Sequence, residues 1–248
     1  MKKIFALVIV LSLALSLCSF SGFAADNGEF TITTGAEYVE KVVSANFGST
    51  FIIEGAEDTD GDGEADGIIL PDEYTSITGF YGTIIGVDGK NNIQLATTPG
   101  NEKPLIATVK SGRVTISNIT LKGASKDGTG SITRADHAAA LVCQADNSAV
   151  SSVTISDVTN YVDVEGTETG KGVGAILGYS RYDLDITISN CVNYGSLKSR
   201  TNAVGSMIGY VRDPGTIKIT KCINYGNINA LSRGNKSYAG GICSTFER

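Results

Sequence analysis

Apolar and polar residues alternate along most of this chain, and one alternating phrase occurs three times. It runs Val153-Thr-Ile-Ser-Asp-Val-Thr-Asn-Tyr161, then Ile186-Thr-Ile-Ser-Asn-Cys-Val-Asn-Tyr194, then Ile217-Lys-Ile-Thr-Lys-Cys-Ile-Asn-Tyr225. Side chains alternate across a strand, so Ile186 and Ile188 point one way and Thr187 and Ser189 the other. A second phrase follows each copy: Val173-Gly-Ala-Ile-Leu-Gly-Tyr179, Val204-Gly-Ser-Met-Ile-Gly-Tyr210 and a looser Ala239-Gly-Gly-Ile-Cys243. A weaker early copy pairs Val114-Thr-Ile-Ser-Asn-Ile119 with Ala138-Ala-Ala-Leu-Val142. Units this short cannot bury their own apolar face, so each must stack on its neighbours.

The spacing of the copies selects among stacked architectures. From second phrase to next first phrase the distance is 13 residues twice (Val173 to Ile186, Val204 to Ile217). From first phrase to second it varies from 18 to 22. A fixed arc with a length-tolerant loop predicts a parallel β-helix. A propeller blade needs four strands per repeat, and a leucine-rich repeat needs a Leu-x-x-Leu-x-Leu string, which is absent. In a stack, Asn160, Asn193 and Asn224 form one ladder and Tyr161, Tyr194 and Tyr225 another. Gly195 and Gly226 then serve as corners with positive φ. Cys191 and Cys222 align with Val158 and Ile119, which makes them buried apolar residues; their stacking also puts them in range of a disulfide.

Before the repeats, Thr34-Gly-Ala-Glu37 reads as a capping box, and Val39, Val42 and Val43 follow at helical spacing. One short helix is predicted over Ala36–Ala45, stopped by Asn46 and Gly48. Short β-rich runs bounded by Gly, Asp, Asn or Pro fill the rest, among them Thr50–Ile53, Thr83–Ile85, Asn92–Leu95 and Leu105–Val109. The chain divides into residues 1–24, a first block over 25–110 and the repeated coils over 111–248.

Residues 1–24 carry Lys2-Lys3, an apolar run from Ile4 to Leu17 and small residues at Gly22 and Ala24, the pattern of a secretory signal peptide. Leu15-Ser-Leu-Cys18 has a lipoprotein-like spacing, but bulky Leu17 precedes the cysteine. The run is shorter than a bilayer span, so no membrane insertion is expected after its removal, and the protein is expected to be secreted or held at the cell surface. Cleavage takes Lys2 and Lys3 and moves the formal charge from −6 to −8. An acidic chain without a basic run cannot hold a polyphosphate, which excludes nucleic acid as a partner. Four cysteines remain, Cys143, Cys191, Cys222 and Cys243, with no metal-type spacing.

The sharpest chemical signal is Asp58-Thr-Asp-Gly-Asp-Gly-Glu-Ala-Asp66. Oxygen ligands at alternate positions around a glycine turn are what Ca²⁺ loops use. Asp58, Asp60, Asp62 and Asp66 would supply carboxylates and Glu64 its carbonyl, with Asp72 or Glu73 completing the shell. The twelfth loop position is Ile69, not the Glu of an EF-hand, so the pattern is nearer the short Asp-rich loops of thrombospondin type 3 repeats. The alternative is a solvated acidic loop. His137, the one histidine, sits beside Arg134 and Asp136 without a partner motif. Arg181 and Arg212 fall at the same offset after Tyr179 and Tyr210, with Asp183 and Asp213 nearby, which makes either a ligand groove or a solvated charged face.

The Cys-x-Asn-Tyr-Gly-x-Ile unit followed by Val-Gly-x-Ile-Gly resembles the repeats of GLUG-type bacterial surface proteins. Gly79-Phe-Tyr-Gly-Thr-Ile-Ile-Gly86 resembles their Phe-x-Gly-Thr stretch, and Thr34–Val43 their capping helix. The resemblance implies a right-handed parallel β-helix of the pectin-lyase-like class and an adhesin-like exported protein, touching extracellular glycans or a host surface protein. The same scaffold also carries polysaccharide lyases and glycoside hydrolases. The outward positions of the first phrase, Thr154, Ser156, Thr187, Ser189, Lys218 and Thr220, hold no carboxylate pair, so no catalytic residue is assigned. A third reading is a structural stalk. The sequence stops part-way through a unit with no closing cap, which reads as the N-terminal piece of a longer protein.

Overall fold

The structure is a computed structural model that describes residues 28–43, 47–167, 172–200, 203–231 and 238–247. The signal segment 1–24 and the predicted helix stop at Asn46 lie outside the described residues. The chain forms a parallel β-solenoid of about six turns, with 53% of residues in strands and 4% in helix. One sheet of 15 strands runs the length of the coil, beside parallel sheets of four and three strands.

The register makes each coil a copy of the one before. Phe51 pairs with Ile84, Ile84 with Ile116, Ile116 with Ile155, Ile155 with Ile188 and Ile188 with Ile219. From Phe51 to Ile188 every member of this row is fully buried. Each buried aliphatic or aromatic side chain contributes roughly 1.5–3 kcal/mol relative to exposure. The neighbours on either side in sequence point outward and are threonine or serine in most coils. Alternation in the sequence therefore becomes rows along the axis.

Corners arise where the chain turns after the outward serine. Asn118 (φ 54°), Asp157 (56°), Asn190 (54°) and Lys221 (54°) occupy the left-handed region at equivalent positions. Asn and Asp tolerate that region because their short polar side chains bond locally. Asn190 Nδ2 donates to Asp157 Oδ1 at 3.1 Å, tying one corner to the next. The expectation for Gly195 and Gly226 is corrected: neither has a positive φ. They are required for closeness, since a Cβ at Gly195 would lie 2.1 Å from the Val162 carbonyl oxygen and one at Gly226 1.9 Å from that of Gly195.

The asparagine ladder forms as the repeats predict. Asn160 Nδ2 donates to Asn193 Oδ1 at 2.8 Å and Asn193 Nδ2 to Asn224 Oδ1 at 2.7 Å. Each Nδ2 also donates to the carbonyl two residues on, at Val162, Gly195 and Gly226. The rings of Tyr161, Tyr194 and Tyr225 stack outside it, with centroids 4.9 and 5.1 Å apart. The thiols of Cys191 and Cys222 are free, and each contacts backbone carbonyls. Burial pushes the Cys191 thiol up to about 12.

Helix α1 (Gly35–Val43) covers the first coil. The Glu37 amide donates to Thr34 Oγ1 at 3.2 Å, as a capping box requires. The Glu37 carboxylate returns to Thr33, accepting from its amide at 2.7 Å and its hydroxyl at 2.8 Å, one residue earlier than the motif implies. These bonds lower the Glu37 carboxyl from 4.5 to about 2. Glu57 adds a clamp invisible in the motif: its Oε2 accepts from the Gly35 amide at 2.8 Å and the Ile69 amide at 2.7 Å. Beneath the helix, Tyr38 meets Tyr74 edge-on at 6.1 Å, and both are buried.

Candidate functional site

The acidic loop brings together three of its five predicted ligands. Asp58, Asp60 and Asp62 are exposed and place one carboxylate oxygen each within 4.8 Å of the others. The loop closes on itself by Asx turns: the amides of Gly61 and Gly63 donate to Asp58 at 2.6 and 2.8 Å. Those bonds, Gly63 first, hold the Asp58 carboxyl below its usual range. Glu64 is exposed, and its amide donates to Asp62 Oδ1 at 2.8 Å.

Asp66 is not in the acidic cluster. Its carboxylate accepts from the Thr59 amide and hydroxyl at 2.8 and 2.7 Å, from Asn92 Nδ2, and from Lys122 Nζ at 3.3 Å. Burial alone would raise the Asp66 carboxyl, but the Thr59 bonds and the Lys122 ammonium outweigh it and lower it. Lys122 also lies 3.7 Å from Asp60 Oδ2. The protein thus supplies a cation to the loop from a strand 56 residues away in sequence, and only coil stacking reveals it. Asp72 does not complete a shell with the cluster; it accepts the Thr97 and Thr98 amides at 2.9 Å each.

A second group gathers where the strands Leu177–Ser180, Ile208–Arg212 and Cys243–Glu247 stack. Tyr179 pairs in register with Tyr210, and their rings lie 5.5 Å apart, tilted by 44°. His137 stacks on the other face of Tyr179 at 4.0 Å. Its Nδ1 accepts the Gly172 amide at 2.8 Å, so that nitrogen is engaged and the ring acts as a wall. Burial, then the Asp146 carboxylate, push the Tyr179 phenol above its usual range.

Beyond the tyrosines the two arginines converge. Arg181 Nε lies 3.5 Å and Arg212 Nε 3.9 Å from Asp213 Oδ2. The Arg181 guanidinium sits 4.6 Å over the ring of Tyr182, which is 43% exposed. Tyr182 (φ 71°), Asp183 (49°) and Asp213 (48°) are left-handed non-glycine residues. Asp183 and Asp213 tolerate this region as the repeat corners do, whereas for Tyr182 such backbone costs about 1–3 kcal/mol. The Tyr210 hydroxyl bonds the Glu247 carboxylate. The repeated offset of Arg181 and Arg212 was legible in sequence; the strained Tyr182–Asp183 corner was not.

The Tyr161–Tyr194–Tyr225 ladder offers less. Its rings lie nearly parallel, 6° and 13° apart, so Tyr194 is stacked on both sides and Tyr161 and Tyr225 on one each, with Tyr225 63% exposed. That is a packing role. No helix among the described residues is long and apolar enough to cross a membrane. The chain matches no protein-family model, no curated protein and no solved structure.

Proposed function

We propose that this protein is an exported, non-catalytic β-helix that adheres to glycans outside the cell, in the manner of GLUG-type surface proteins. The observation that carries this reading is the corner formed by Arg181, Tyr182, Arg212 and Asp213. Guanidinium and carboxylate groups offer paired donors and acceptors for neighbouring sugar hydroxyls. An exposed aromatic ring offers a face for the C–H side of a pyranose. The outward positions of the repeated phrase hold no paired carboxylates, which supports binding without turnover.

A glycan array combined with a reducing-sugar assay tests this. Binding without release of reducing ends is expected, and Tyr182→Ala with Arg212→Ala removes it. Release of reducing ends selects a polysaccharide lyase or glycoside hydrolase instead. Neither binding nor release selects a structural stalk.

The same proposal includes a structural Ca²⁺ on Asp58, Asp60 and Asp62, with the Glu64 carbonyl, while Asp66 stays with Lys122. Converging carboxylates of this kind suit a hard cation that takes oxygen ligands. Calorimetry with Ca²⁺ is expected to show heat that Asp60→Ala/Asp62→Ala abolishes; no heat in the unmodified protein removes the ion from the account.

A further inference from the structure

The long sheet carries two rows of small hydroxyl side chains on its outer side. Register places Thr50, Thr83, Thr115, Thr154 and Thr187 in one row, bounded by Glu29 at one end and Lys218 at the other. Two residues further along each strand, Ile52 and Ile85 lead into Ser117, Ser156, Ser189 and Thr220. The residue between the rows is fully buried from Phe51 to Ile188, so both rows face outward. Ile85, within the second row, is 37% exposed, so this part of the face is open. Among the described residues, the threonine and serine hydroxyls from Thr50 to Ser189 in these rows find no side-chain hydrogen-bond partner in the protein.

The spacing is set by backbone geometry. Coils stack about 4.8 Å apart, and residues two apart on a strand stand about 6.6 Å apart. The face is therefore a rigid grid of hydroxyls and methyls, uncharged between Glu29 and Lys218, whose spacings approach the oxygen repeats of a prism plane of hexagonal ice. It has no aromatic ring on either row, so a pyranose has no flat apolar partner there. One hydroxyl–water bond contributes little net free energy. A grid that engages many at once without ordering its own side chains avoids the usual association cost.

We infer that this face binds ice, the threonine and serine rows holding water in lattice register. It is separate from the Arg181 corner, so the two readings fail independently. The test is ice recrystallisation and thermal hysteresis with the full chain after signal removal. Inhibition of ice growth is expected from the unmodified protein. Thr154→Lys, which puts a long charged side chain in the middle of the grid, is expected to lose it, and Glu165→Gln on the four-stranded sheet to keep it. If Thr154→Lys does not fold, Ser156→Arg in the neighbouring row serves in its place. Unimpeded ice growth with the unmodified protein overturns the inference. So does full activity in a grid variant that melts like the unmodified protein. Retention on crystalline cellulose or chitin, lost in the grid variant, without any effect on ice assigns the face to a polysaccharide and overturns it too.

Discussion

Ile186 and Ile188 are 1% and 0% exposed, whereas Ile217 and Ile219, one coil later in the same register, are only half-buried. The sequence pattern is the same in both coils. The difference is what lies above: among the described residues, strand Asp185–Ser189 has a neighbour on each side, and Ile217–Thr220 pairs on one side only. At the opposite end, α1 and the Tyr38–Tyr74 contact do for the first coil what another coil does elsewhere. Burial in this molecule belongs to the interfaces between coils and not to the coil itself, as nearest-neighbour stability requires.

The largest test of that comparison is a truncation repeated at two levels. Ile188→Ala should cost about 2–5 kcal/mol, the range for a buried aliphatic residue. Ile219→Ala should cost clearly less. Urea unfolding followed by circular dichroism reads both, and equal losses would break the comparison.

The asparagine ladder offers a smaller test of the same idea. Asn193 bonds both ladder neighbours and the Gly195 carbonyl. Asn193→Ala strips those partners in a buried setting, at about 1–3 kcal/mol. Asn224→Ala sits in the half-covered coil, where water replaces the lost bonds, and should cost less by the same measurement.

At the capped end, Thr34→Ala removes the acceptor for the Glu37 amide and should cost about 1 kcal/mol. The loss should appear first as faster hydrogen exchange in α1, with the repeat coils unaffected. The smallest effect is a pH dependence confined to the same helix. Glu37 is lowered in the fold from 4.5 to about 2, so its contribution is complete above pH 4.5 and is lost as the pH falls through about 2. Exchange in α1 should therefore speed up between these values, and Glu37→Gln should flatten that response. An unchanged profile in the glutamine variant would remove Glu37 as the cause.

The repeated phrases made much of the fold legible. They gave the stacked coils, the Asn and Tyr ladders and the buried position of Cys191, whereas Cys222, expected to be buried too, is only half-buried. Corners were less legible. A glycine after the Tyr in two of the three copies suggested positive φ, yet the turns fall at Asn118, Asp157, Asn190 and Lys221, while Gly195 and Gly226 accommodate close backbones. Both explanations predict glycine at that position, so the sequence could not separate them. In the acidic loop the residue types were readable and their partition was not. Asp58, Asp60 and Asp62 gather, while Asp66 turns to Thr59, Asn92 and Lys122.

The sequence by itself determined which residues face inward, because strand periodicity is local and fixes direction without knowledge of neighbours. It also determined that equivalent residues would form rows, since repeated units stack in register. Tertiary structure alone decided what each row meets: whether an isoleucine is covered, which carboxylate pairs with Lys122, and that the threonine and serine rows make one open grid. Those outcomes depend on contacts between residues about 30 or more positions apart, and their distances are set by how one coil lies on the next.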